Sequence, residues 1–132
     1  MNAPYLPPLL PEVTQRLIPA EFLAALNHRF GEQFSTAWVV REQHGRDESA
    51  FDIPPPAAVV FAHSTADVSD AVALAAQYRV PVIPFGVGSS LEGHLLAIQG
   101  GLSLDVSRMN QILAINAEDL TVTVQPGVTR KQ

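Results

Sequence analysis

The chain has 132 residues, 47% hydrophobic and 16% charged, with 8 Lys+Arg against 13 Asp+Glu, 11 Pro, 8 Gly and no Cys. This apolar content excludes a disordered chain, and a domain of this length buries roughly two-thirds of its unfolded surface, enough for a real core. Without Cys there are no disulfides, thiolate metal ligands, Cys nucleophiles or cysteinyl-linked cofactors, and a net charge of −5 argues against a nucleic-acid surface, so an anionic ligand has to be held by local dipoles.

The first 18 residues are aperiodic, and Pro4, Pro7, Pro8 and Pro11 break their apolar stretches. They read as an extended arm, with no basic n-region and hence no signal or transit peptide. No apolar run reaches the roughly 20 residues that span a bilayer. The expectation is a soluble cytoplasmic protein, at most membrane-peripheral within a larger assembly. Pro19 suits the first turn of a helix in which Phe22, Leu23, Leu26 and Phe30 recur at helical spacing, and Gly31 is placed to end it. Ala37–Val40 leans toward a strand, and the polar string REQHGRDES after it leaves its structure open.

Pro54, Pro55 and Pro56 mark a stiff connector and the expected boundary between an N-terminal arm and helix, 1–53, and a second unit, 54–132. Ala58–Ala62 reads as a buried strand. Ser64 and Asp67 form an acidic variant of a capping box, and Val68, Ala71, Val72 and Ala75 give the apolar face of a helix reaching Tyr78. Val80–Phe85 reads as a strand interrupted by Pro81 and Pro84, which favours an edge strand or one cut short by a turn. These make a β-α-β unit with parallel strands. Further strands are expected at Gly101–Val106 and at Leu120–Val124, the latter half-buried, while Met109–Ile115 fits a helical turn or an extended piece. Pro126-Gly127 signals a turn, and Thr129 with Gln132 has the spacing that opens a helix. The fold class is α+β.

The most specific stretch is VIPFGVGSSLEGH, residues 82–94, leaving a predicted strand. Gly86 and Gly88 permit positive φ and leave the backbone unshielded, so successive N–H groups can converge on an anion, and Ser89 and Ser90 add hydroxyl donors. No Lys or Arg occurs from Val80 to Ser107, which excludes a P-loop lysine; a GxGxxG dinucleotide fingerprint fails because Leu91 stands where the third glycine belongs. On spacing alone, a tight turn without a ligand stays open beside an anion cradle.

The string PFGVGSSLEGH, with HGRDESAFDIPPPAAVVF before it and QGGLSLDVSRMNQILAINAEDLTVTVQPGVTRKQ after it, resembles the N-terminal part of FAD-linked oxidases of the vanillyl-alcohol-oxidase (PCMH) type. Within them it is most similar to the D-lactate dehydrogenase (cytochrome) and glycolate oxidase FAD-subunit group. The resemblance implies the first subdomain of a PCMH-type FAD-binding domain. It also implies that the cofactor is FAD, held by Pro84, Phe85, Gly86, Val87, Gly88, Ser89, Ser90, Leu91, Gly93 and His94, with Gly127 ending a strand that lines the cleft. Ser89 stands where Thr is commoner and Val87 where Ala is; both keep the loop small, and Ser89 keeps the hydroxyl. The stretch Leu95–Ile98 departs further from the family's more polar pattern.

The family's chains are longer, and its second FAD subdomain and substrate-bearing cap, with the catalytic residues, would follow Gln132. The resemblance therefore implies a part of an enzyme acting on a small D-2-hydroxy acid, with no catalytic residue in this stretch and no turnover by the chain alone. The alternative is a non-catalytic nucleotide-binding or protein-interaction module. His94 fits noncovalent rather than covalent flavin binding. His28, His44 and His63 show no metal-ligand pattern, Arg46, Asp47 and Glu48 read as a solvated charged turn, Trp38 as a core residue, and Arg108 as a local partner of Asp105.

Overall fold

The computed structural model describes residues 14–132. Pro4, Pro7, Pro8 and Pro11 lie outside them. Where the arm is described it lies over other backbone: Gln15 Nε2 donates to the carbonyls of Pro54 (2.7 Å) and Ala97 (2.8 Å), and the Arg16 amide donates to Gln99 O (3.1 Å).

Helix α1 spans Ala20–Phe30 and buries Phe22, Leu26 and Phe30. Gly31, at φ 53°, ends it and donates its amide to Asn27 O. A 3₁₀ turn, Gly31–Gln33, leads into the short strand β1, Phe34–Ser35. The strand expected at Ala37–Val40 is instead the start of helix α2, Trp38–Gln43, and Trp38 is not a core residue but 59% exposed. The reason lies in a polar anchor that apolar patterning does not weigh. Arg41 donates from Nε to Pro56 O (2.6 Å) while its guanidinium lies 5.8 Å from the Trp38 ring, so the helix is fastened by Arg41 and its tryptophan is left at the surface.

Strands β2 (Ala58–Phe61), β3 (Val82–Phe85) and β4 (Leu102–Asp105) join β1 in a sheet of order β1-β2-β4-β3. β1 is antiparallel to β2, whereas β2 and β3 both run parallel to β4. The predicted β-α-β unit is present, with helix α3 (Thr65–Tyr78) as its crossover, but its two strands are not neighbours because β4 enters between them. Pro81 and Pro84 leave β3 short of amide donors and restrict it to the sheet edge, while β4 is buried along its whole length and pairs on both sides. Gly101 makes the entry possible. Its φ is 117°, and a Cβ there would stand 2.3 Å from Pro81 O, beside the bond from the Leu102 amide to that same carbonyl (2.9 Å).

Ser64 caps α3, its hydroxyl accepting from the Asp67 amide (3.1 Å), and Asp67 reaches back one residue further than a capping box requires, to the His63 amide (3.0 Å). Asp67 also accepts from Gln33 Nε2 (3.0 Å) and Arg29 (3.1 Å), tying α1 to the start of α3. Burial opposes the charge of Asp67, but the His63 amide, the Gln33 side chain and Arg29 outweigh it and hold the carboxyl below its usual range. The buried face of α3 is Asp67, Ala71 and Ala75; Val72, assigned to that face from its spacing, is exposed. Ala71 and Ala75 pack with Phe22, Leu26 and Phe30 of α1 against Val60, Leu102 and Leu104. Burying a side chain such as Phe22 or Leu26 completely stabilises by roughly 1.5–3 kcal/mol each.

Beyond β4, Ile112–Asn116 (β5) and Thr121–Val124 (β6) form an antiparallel hairpin, so Met109–Ile115 resolves toward the extended alternative. β6 is not half-buried: every residue of both strands is exposed, because the hairpin pairs only with itself among the described residues. At the last residues the Gln132 amide donates to Thr129 O (3.1 Å) and its side chain to Asn110 O (2.7 Å), which makes a turn there.

Candidate cofactor site

The three parallel strands end together, with Phe61, Asp105 and Phe85 in register across β2, β4 and β3. Ligands of open parallel sheets gather at such carboxyl ends. Here the glycine loop leaves Phe85 and opens into a depression of about 290 Å³ lined by Gly86–Ser90, His94 and Leu95.

The loop rests on a buried polar pair. His44 Nε2 stands 2.8 Å from Asp105 Oδ2, and its Nδ1 donates to Val40 O (2.8 Å). Burial opposes the charge on Asp105, but the His44 contact and the hydroxyl and amide of Ser107 outweigh it and keep the carboxyl below its usual range. The His44 ring packs 4.3 Å, centroid to centroid, from Phe85, and Phe85 in turn lies under Gly88, where a Cβ would come within 3.0 Å of the ring. Sequence spacing did not single out His44, because its partner lies 61 residues away. Arg108 does not pair with Asp105 as expected. It lies over the Phe61 ring at 4.7 Å and reaches His63 Nε2 (3.2 Å), since His44 and Ser107 already occupy the carboxylate.

The two loop glycines have different reasons to be glycine. Gly88 has φ 73° and is packed on Phe85. Gly86, expected to use the same freedom, is not among the residues with positive φ, and nothing lies within 4 Å of where its Cβ would stand. Neither backbone geometry nor internal packing requires glycine at 86; what its bare backbone leaves is room for an outside group at the mouth of the depression. Val87 and Leu91 are exposed large apolar residues, Ser89 is exposed, and the Ser90 hydroxyl is engaged with His94 Nδ1 (3.0 Å) and the Glu92 amide (3.3 Å). Pro84 is exposed on β3. Gly127 does not line the depression: its amide donates to Met109 O (2.8 Å), and a Cβ would come within 2.5–2.6 Å of the Ser107 and Val106 carbonyls.

Arg46 and Glu48 are exposed, and Arg46 pairs with Glu42 (2.8 Å), as a solvated turn requires. Asp47 is not solvated in that way. Its Oδ1 accepts from the Ser49 amide (2.9 Å) and hydroxyl, and its Oδ2 is buried. Among the described residues no group of three or more His, Asp or Glu is placed to hold a metal ion, and no helix is long and apolar enough to cross a membrane.

A small-residue loop with an open mouth, at the carboxyl end of an edge parallel strand, has the backbone chemistry to take an anion. Residues 56–132 match the family model described as "FAD binding domain". The chain belongs to this family of FAD-binding domains, and its cofactor is FAD. It is 48% identical over 100 residues, 76% of this chain and 20% of the relative, to "Probable D-lactate dehydrogenase, mitochondrial" of Danio rerio. It is 40% identical over 89 residues, 64% of this chain and 19% of the relative, to "Glycolate oxidase subunit GlcD" of Bacillus subtilis (strain 168). A solved alkyldihydroxyacetonephosphate synthase superposes with a TM-score of 0.74 at 26% identity, covering 89% of this chain and 26% of that one. The chain thus spans about a fifth of the length of these curated relatives.

Proposed function

We propose that the chain supplies the diphosphate cradle of an oxidoreductase that acts on a small D-2-hydroxy acid such as D-lactate or glycolate. The observation that carries the cradle is Gly86, a glycine that neither conformation nor packing demands, in a loop open to solvent. With no Lys or Arg from Val80 to Ser107, the cofactor's phosphates are held by the amides of residues 86–89 and the Ser89 hydroxyl. The substrate class rests on the 48% identity to a protein named as a D-lactate dehydrogenase. Bound FAD would supply a hydride acceptor; this chain's own part is to bind and orient it.

Residues 54–132 then form the first part of the FAD domain, and 1–53 the N-terminal arm and helix. Pro84, Phe85, Leu91, Gly93 and His94 shape the cradle's walls, and Gly127 stands beyond them. Binding is noncovalent, a proposal supported by His94, whose Nδ1 is engaged by Ser90. The chain alone turns over no D-lactate.

The test is titration of the chain with FAD, followed by flavin fluorescence, with ADP as competitor. Gly86→Val should weaken FAD at least about tenfold, equivalent to about 1.4 kcal/mol, and leave the melting temperature unchanged. FAD binding by Gly86→Val at wild-type affinity refutes the cradle. Flavin that stays with acid-precipitated protein refutes noncovalent attachment.

A further inference from the structure

We infer that His44 is a positioning residue of the diphosphate cradle, acting through the Phe85 ring on Gly88. This rests on the cradle proposal and deepens it by naming the group that steadies the loop. Phe61, Asp105 and Phe85 end the three parallel strands in register, and residues in register across neighbouring strands share one face of the sheet. His44, at the end of α2, lies over that row and meets all three side chains. Its Nε2 stands 2.8 Å from Asp105 Oδ2, and its ring centroid is 5.4 Å from that of Phe61, edge-on at 86°, and 4.3 Å from that of Phe85 at 42°. The bond from Nδ1 to Val40 O (2.8 Å) ties the same ring to α2. An imidazole engaged through both nitrogens and only 6% exposed is held in one orientation.

Phe85 needs such a stop. It ends a strand at the sheet edge, is only partly buried, and packs besides on the small cluster of Ile83, Leu95 and Ala97. The effect reaches the loop because Gly88, at φ 73°, sits on the ring: a Cβ there would come within 3.0 Å of Phe85 Cζ. A phenyl ring free to turn into the space that His44 fills would take the floor from under Gly88, and the amides of residues 87–89 would lose a fixed direction. The two halves of the arrangement therefore have separate tasks. Asp105 and Val40 O aim the imidazole, and the imidazole, by contact alone, holds the phenyl ring beneath the turn. The gain is preorganisation: donors already set in place lose less freedom when an anion binds.

The experiment uses the full chain and four variants: His44→Gln, Phe85→Leu, these two combined, and His44→Phe/Asp105→Asn. Each is titrated with FAD and with ADP, and backbone amide order parameters are measured by NMR relaxation without ligand. Glutamine keeps an N–H donor for Asp105 but has no ring. His44→Gln should weaken FAD and ADP at least about fivefold, and lower the order parameters of Val87–Ser89 while Leu104 in the core stays as in wild type. Phe85→Leu should do the same, and adding His44→Gln to it should cost less than about twofold more, because the ring through which His44 acts is already gone. His44→Phe/Asp105→Asn gives up the polar pair and keeps a ring against Phe85. It should bind FAD within about threefold of wild type even with a lower melting temperature, and it decides the matter where His44→Gln fails to fold. Losses that multiply in the His44→Gln/Phe85→Leu variant overturn the path through Phe85. Wild-type affinity and order parameters in His44→Gln, or weak binding by the folded ring-bearing variant, leave His44 a stabilising residue only and overturn the proposal. A wild-type chain that binds neither FAD nor ADP overturns the cradle; the order parameters then judge the support by themselves, and unchanged values at Val87–Ser89 in His44→Gln overturn it too.

Discussion

His44 and Asp105 face each other at 2.8 Å with side chains only 7% and 5% exposed, joining the end of α2 to the end of the central strand β4. Val40 O can only accept, so His44 Nδ1 carries a hydrogen, and Nε2 faces the Asp105 carboxyl. Removing one partner leaves the other buried and alone, and Asp105→Ala should cost about 3 kcal/mol in urea unfolding followed by far-UV circular dichroism. The pair should also set an acid limit. A carboxyl held below its usual value in the folded state takes up protons first in the unfolded chain, so acidification favours unfolding. The stability it contributes is complete above the unfolded value of about 3.9 and is lost as pH falls through the folded one. Asp47 and Asp67, shifted the same way, add to the slope, so melting temperature plotted against pH should fall less steeply on the acid side in Asp105→Asn than in wild type. Equal slopes would show that Asp105 has an ordinary carboxyl.

The end of α3 carries a correctable strain. Arg79 closes the helix at φ 55° and ψ 40°, its amide bonding to Ala75 and Ala76 carbonyls, a left-handed position that glycine adopts without a Cβ penalty. Its side chain is exposed. Arg79→Gly should therefore raise stability by about 1 kcal/mol, seen as a higher urea midpoint with unchanged slope. A lower midpoint would mean that the arginine makes contacts worth more than the strain.

At the start of β4 the opposite holds. Gly101→Ala would push a methyl group onto Pro81 O at 2.3 Å, in the backbone contact that lets β4 enter beside β3. We expect a loss of several kcal/mol or failure to fold, because backbone rather than a flexible side chain has to move. A variant with near-native unfolding would show that the β3–β4 junction yields easily.

What the sequence reveals here depends on the range of the interaction. Elements specified within a few residues were legible: α1 from Phe22, Leu26 and Phe30 to Gly31, the Ser64 cap, and the edge placement of β3 from Pro81 and Pro84. The glycine loop was legible as a motif, and the relatives' similarity supports it as a cofactor loop. Interactions across 15 to 61 residues were not. Arg41 on Pro56 O turned an apparent strand into α2, and His44 sought Asp105. The insertion of β4 between β2 and β3 likewise depends on one close backbone contact at Gly101, which no hydrophobic period encodes.

The β5–β6 hairpin carries the last prediction. Leu113, Ile115 and Val122, on strands whose outer edges are unpaired among the described residues, and Leu120 in the turn between them are all more than half exposed, with Ile115 at 71%. Apolar side chains beside open strand edges favour pairing with another copy. The 14.2 kDa chain should therefore self-associate at micromolar concentration, with a scattering mass that rises with concentration. Ile115 and Val122 are Cα partners across the hairpin, so the double variant Ile115→Lys/Val122→Glu replaces an apolar cross-strand pair with an ion pair that keeps the hairpin closed. Its mass should fall toward that of the monomer while its circular dichroism matches wild type. A wild-type chain that scatters as a monomer at every concentration would show that this face does not drive association.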